Sequence, residues 1–121
     1  MTGTDWIKRL FESIDSQDAE TFAAFLSDDV RFRFGNADLV KEKAAVREVV
    51  AGFFASINGL HHEIQDVWEQ RDAVVCHGVV TYTRHDSSTL TVPFANVFKM
   101  NGDLIREYLI FADVSQLYDP A

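Results

Sequence analysis

The chain has 121 residues, 47% of them hydrophobic and 12% aromatic, which is enough to bury a core in one domain and too apolar for a disordered segment. A net charge of −8, with 11 Lys and Arg scattered along the chain, excludes a nucleic-acid binder, because phosphate contacts need a clustered basic footprint. One cysteine, Cys76, excludes an internal disulfide and fits a reducing compartment.

The opening stretch MTGTDWIKRLFES lacks the uncharged apolar centre of a signal peptide. No run approaches the ~18 apolar residues of a membrane span. The expectation is one cytoplasmic domain over residues 1–121, with neither nucleic acid nor membrane as partner.

Trp6, Ile7, Leu10, Phe11 and Ile14 recur on one face at helical period. They predict a first helix from about Asp5 to Ile14, with Thr4 as N-cap. Asp18 is placed to cap a second helix from Ala19 to Leu26, and Ser27-Asp28-Asp29 reads as a turn. Val30 to Phe34 alternates as a half-buried strand, with Val30, Phe32 and Phe34 on one face and Arg31 and Arg33 on the other. After a loop at Gly35–Asp38, the stripe Val46, Val49, Val50, Phe53, Phe54, Ile57 predicts a third helix over 43–57. Asn58-Gly59 is the expected left-handed stop.

Everything after Leu60 reads as strand. His62–Gln70 and Ala73–Arg84 are joined by a turn at Arg71-Asp72. After His85–Ser88 comes a hairpin, Leu90 to Asp113, turning at Asn101-Gly102, a pair suited to a type I′ turn. Leu117 to Ala121 reads as a loose tail. Helices early and consecutive strands late argue an α+β fold with three N-terminal helices packed on a curved, mainly antiparallel sheet, a cone-like barrel with a cavity at its open end.

Three segments carry a resemblance to a known family: FLSDDVRFRFGNADLVKEKAAVREVV (25–50), VWEQRDAVVCHGVVTYTR (67–84) and TVPFANVFKMNGDLIREYLIFADVSQL (91–117). The chain resembles the SnoaL-like branch of the nuclear transport factor 2-like superfamily, which includes ketosteroid isomerase-like and polyketide cyclase-like domains. The resemblance implies the cone fold and a small-molecule pocket, and it spans isomerases, cyclases, epoxide hydrolases, dehydratases and non-enzymatic binders. In the ketosteroid isomerase pattern the oxyanion Tyr falls at Leu10, the base Asp at Phe34 and the oxyanion Asp at Asn96. Two of the three are apolar, so that chemistry is not expected here. In the epoxide hydrolase pattern an Asn that holds water falls at Asn36.

Asn96 is the one polar side chain in the period-2 set Phe94, Asn96, Phe98. A buried amide there must find partners or meet a ligand. Ligand-binding candidates are Asn36, Asn96 and Tyr108, with Phe34 and Phe94 as apolar wall. His77, inside a long strand, and Asp113, ending the last one, are the candidate catalytic acid/base groups. The bland reading of Asp113 is an Asx cap on Val114-Ser115. His61 and His62 are adjacent and point to opposite strand faces, so no metal site is expected, and no cofactor.

Tyr82, Arg84, Lys99 and Arg106 are expected on the outer sheet face, where relatives dimerise, so a homodimer is expected there. The function these residues point to is an acid/base isomerase, cyclase or lyase acting on a hydrophobic small molecule. The alternative is a non-catalytic ligand-binding or interaction domain.

Overall fold

A computed structural model describes residues 5–118. The expected cap Thr4 and the end of the expected tail lie outside these. The order is α1 (Asp5–Asp15), α2 (Ala19–Ala23), β1 (Leu26–Phe34), β2 (Val40–Lys41), α3 (Lys43–Ala55), β3 (Gly59–Gln70), β4 (Ala73–Thr83), β5 (Thr89–Asn101) and β6 (Leu104–Phe111). The predicted stripe of α1 is buried throughout, from Trp6 to Ile14. Asp18 caps α2 by accepting from the Thr21 N–H at 3.1 Å and from its hydroxyl at 2.7 Å. These bonds hold its carboxyl below the ordinary carboxylate range.

The strands form one six-stranded sheet in the order β2-β1-β6-β5-β4-β3. β3 to β6 make the expected antiparallel meander, and β1 runs parallel to β6. The sheet is therefore mainly antiparallel, as expected, but mixed through β1 and not closed, with β2 and β3 as its two edges. Helical and inward-facing sheet residues share one core, with Leu10, Leu26, Val30, Val46, Cys76, Phe98 and Ile105 all fully buried.

Several boundaries moved for local reasons. The residues read as a turn, Ser27–Asp29, lie inside β1: Leu26 pairs with Ile105, Arg31 pairs with Glu107, and the extra β1 residues bulge between them. Leu26 is thus a strand residue, and α2 stops earlier than expected. The short β2 was not foreseen, since two residues carry no period. Gly59 is no helix stop; α3 ends at Ala55 with Ser56 still right-handed, and Gly59 opens β3 opposite Thr83. The β5–β6 turn sits one residue late: Asn101 pairs with Leu104, and Gly102, at φ 63°, takes the first central position, as a type II′ turn requires.

A bulge at Gln65 inverts the face alternation along β3. Leu60, His62 and Ile64 point inward before it and Val67 after it, so Trp68 faces out, 55% exposed. Tyr82, expected outside, is buried on the inner face of β4. The tail is also anchored. Leu117 is 1% exposed, and the Arg84 guanidinium donates to the carbonyls of Leu117 and Gln116 at 2.8 Å each.

Candidate functional site

A small cavity of about 50 Å³ lies between the helices and the inner sheet face. Its walls are almost wholly aromatic or aliphatic: Phe22, Phe32, Phe34, Phe53, Phe54, Phe94, Tyr82 and Tyr108 lead the lining, with Asn96 and His62 as its polar members. Burial pushes both tyrosine hydroxyls up, so they stay protonated hydrogen-bonding groups. Phe34, Phe53 and Ile110 are half-buried and Val49 is 46% exposed, so the cavity comes nearest to solvent along this side.

Strand alternation turns Asn96 inward with Phe94 and Phe98. The side chain is 2% exposed, and its Oδ1 is the one buried side-chain polar atom without a hydrogen-bond partner among the described residues. A half-turn of the amide exchanges acceptor for donor at the same point, so Asn96 can offer either to a ligand. Leaving such an atom unpaired costs about 1–3 kcal/mol. Asn96→Leu, which keeps the volume and removes the orphan, is therefore expected to raise stability by about 1 kcal/mol while abolishing ligand binding. Chemical denaturation checks the first effect and ligand-induced thermal shifts the second. A variant destabilised by that amount instead would make Asn96 a structural residue.

Cys76 pairs with Asn96 across the sheet and is fully buried. Burial pushes its thiol up to about 12, a rise that a hydrogen bond from the Asn96 backbone N–H only partly offsets. It is a core residue and no nucleophile.

The polar group that completes the cavity is His62. Its side chain is only 9% exposed. The ring lies between Phe11, at 4.7 Å centroid distance, and Phe94, at 5.2 Å and 89°. On its other side stands Asp15, the last residue of α1. His62 Nδ1 lies 2.6 Å from Asp15 Oδ1, and the His62 backbone N–H donates to Oδ2 at 3.0 Å. A carboxylate can only accept, so Nδ1 carries the hydrogen, and in the neutral ring Nε2 is then the nitrogen with the free lone pair. The arrangement is a carboxylate–imidazole dyad at the wall of an apolar cavity, which can take up and return a proton.

The structure brings together Phe34, Phe94, Asn96 and Tyr108 of the expected site. It does not bring the other candidates into the cavity that these four line. His77 follows inward-facing Cys76 and so faces out, with its Nδ1 3.3 Å from Asp66 Oδ2. Asp113 is exposed and accepts from the Ser115 N–H at 3.0 Å. That hydrogen bond, which holds its carboxyl below the ordinary carboxylate range, makes it the Asx cap of the bland reading. Asn36 and Asp113 line a separate outer groove of about 710 Å³ that adjoins the cavity through Phe34 and Ile110.

Asp15 and His62 were missed as a pair. The available signals were the i, i+4 relation of Phe11 and Asp15, and the period-2 set Leu60, His62, Ile64. Among the described residues no cluster of His, Cys, Asp and Glu could hold a metal ion. No helix there is long and apolar enough to cross a membrane.

No curated protein matches the chain. Solved structures do. A SnoaL-like polyketide cyclase candidate of Jannaschia sp. CCS1 is 17% identical, with 95% of this chain and 90% of that one covered and a TM-score of 0.81. TerC, co-crystallised with polyporic acid, is 18% identical, with 93% and 92% covered and a TM-score of 0.80. A protein of Catenulispora acidiphila with a ketosteroid isomerase-like fold, in complex with trimethylamine, is 13% identical, with 91% and 86% covered and a TM-score of 0.83. At these identities the likeness is one of fold. The family model for the SnoaL-like domain matches residues 7–108, and the chain belongs to the SnoaL-like domain family.

Proposed function

We propose that this protein is an acid/base enzyme, an isomerase, cyclase or lyase, acting on a hydrophobic small molecule. The observation that carries the reading is the Asp15–His62 dyad, 2.6 Å apart, on the wall of the cavity that Asn96 also lines. His62 Nε2 removes a proton from carbon or oxygen of the substrate, Asp15 fixes the reactive tautomer, and the Asn96 amide orients the substrate oxygen. His62 takes the role expected of His77 and Asp113.

The test is solvent deuterium incorporation. Aromatic and alicyclic ketones incubated with the protein in D2O are expected to gain deuterium next to the carbonyl, read by mass spectrometry, and His62→Gln is expected to abolish it. A variant as active as the parent would sink the reading.

The cavity's small size supports a second reading, an interaction domain whose interior is filled by its own side chains. At about 50 Å³ it is well below the roughly 300–1,000 Å³ of ordinary ligand sites. A substrate larger than a few atoms therefore has to displace Phe34, Val49 or Phe53. A screen showing neither ligand-induced stabilisation nor deuterium incorporation would select this reading.

The outer face supports a homodimer. Trp68, Val75, Val97 and Leu109 pair in one row across β3 to β6, with exposed Phe111 opposite Ala95. Such a patch on a sheet face suits an isologous contact. Trp68→Glu with Leu109→Glu is expected to halve the mass measured by light scattering. An unchanged mass would remove this face as the interface.

A further inference from the structure

The Asp15–His62 dyad stands on a partition. His62 lines the inner cavity, and both residues also line an outer groove of about 450 Å³ between α1 and β3. His62 is nearly enclosed, while the Asp15 side chain is 22% exposed. A second imidazole lies on the solvent side. His61 Nδ1 is 3.7 Å from Asp15 Oδ2, and its side chain is 78% exposed. The strand that points His62 inward necessarily points His61 outward. Adjacent histidines therefore reach the same carboxylate from its two sides.

We infer that His61 is a relay residue that exchanges protons between the enclosed dyad and solvent. The inference rests on the acid/base reading of His62. The His62 side chain is only 9% exposed, so direct proton exchange of its ring with water is restricted. Asp15, 22% exposed, opens a wider route. After Nε2 has taken a proton from the ligand, the Nδ1 proton passes to Asp15, the resulting acid hands it to a ring nitrogen of His61, and His61 releases one proton to water. The reverse passage returns a proton to Nδ1 as Nε2 gives its own to the ligand, so protons and charge balance over the cycle.

In an enclosed carboxylate–imidazole pair the carboxylate orients the ring and does not itself become protonated. Here it has an exit and an acceptor. At 3.7 Å the two groups are beyond hydrogen-bond range, but the His61 side chain is 78% exposed, and a relay needs contact only intermittently. The other charged groups lining this groove are Asp5, Lys8 and Glu12 of α1. Lys8 is the only other nitrogen proton donor among them.

The experiment is NMR exchange on the intact 15N-labelled protein, following the His62 Nδ1–H signal against water with and without added imidazole. His61→Gln is expected to slow exchange at least about tenfold, and added imidazole is expected to restore it, while the parent is insensitive to imidazole. Because His61 is exposed, the variant keeps the fold. Exchange in His61→Gln equal to the parent's would overturn the relay, since Asp15 would then exchange with water directly. Asp15→Asn separates the two readings. If it leaves the His62 signal unmoved, the dyad itself fails; if it shifts the signal while His61→Gln changes nothing, only the relay fails.

Discussion

Replacing His62 by Gln is expected to lower turnover by about 10²–10⁴-fold, the usual contribution of one general acid/base group. Gln keeps some of the packing against Phe11 and Phe94 but has no lone pair on nitrogen that can accept a proton at neutral pH. Asp15→Asn is expected to cost less, about 10²-fold, by another route. An amide nitrogen placed beside Nδ1 would donate to it, drive the ring hydrogen to Nε2 and present the wrong face to the ligand. The double variant is expected to be no worse than His62→Gln alone, because the two residues act as one unit. Steady-state kinetics on any substrate accepted by the parent checks all three. Full activity in either single variant would remove the dyad from the mechanism.

Gly78→Ala is expected to be the most damaging single-methyl change in the sheet. A Cβ at this position would overlap the Glu63 carbonyl oxygen and lie 3.1 Å from Ile64 Cα. Both obstacles are backbone, so no side chain can swing aside. The absence of a side chain is what lets β3 fold closely over β4 beside its bulge at Gln65. The expected loss is about 3 kcal/mol, the upper end for overpacking, or roughly 10 °C in Tm for a domain of this size. The damage also reaches the site, since Glu63 adjoins His62. Thermal unfolding gives the first effect, and displaced His62 imidazole resonances the second. A Tm within about 2 °C of the parent's would contradict the close approach at Gly78.

Much of this architecture was legible in the residues. The α1 and α3 stripes, the Asp18 cap and the alternation of β1 and β5 follow from periods a single segment carries by itself. Asn96 was legible for the same reason: one amide among Phe94 and Phe98 stands out in any pleated strand. The face that His77 takes was not legible, because both faces of β4 read as apolar. Val75 and Val79 flank it on one face, and Val74, Cys76 and Val80 fill the other, so alternation alone could not say which set faces the core.

Sequence by itself determined the α+β class, the family and the apolar inner face with its one buried amide, because each is written in local spacing and side-chain type. Only the tertiary structure decided that the sheet stays open, that β1 runs parallel to β6, and that bulges in β1 and β3 shift the faces of later residues. It also brings the end of α1 against β3, so that Asp15 meets His62 across 47 positions of chain. That meeting depends on how two distant elements pack, and no period within either one encodes it.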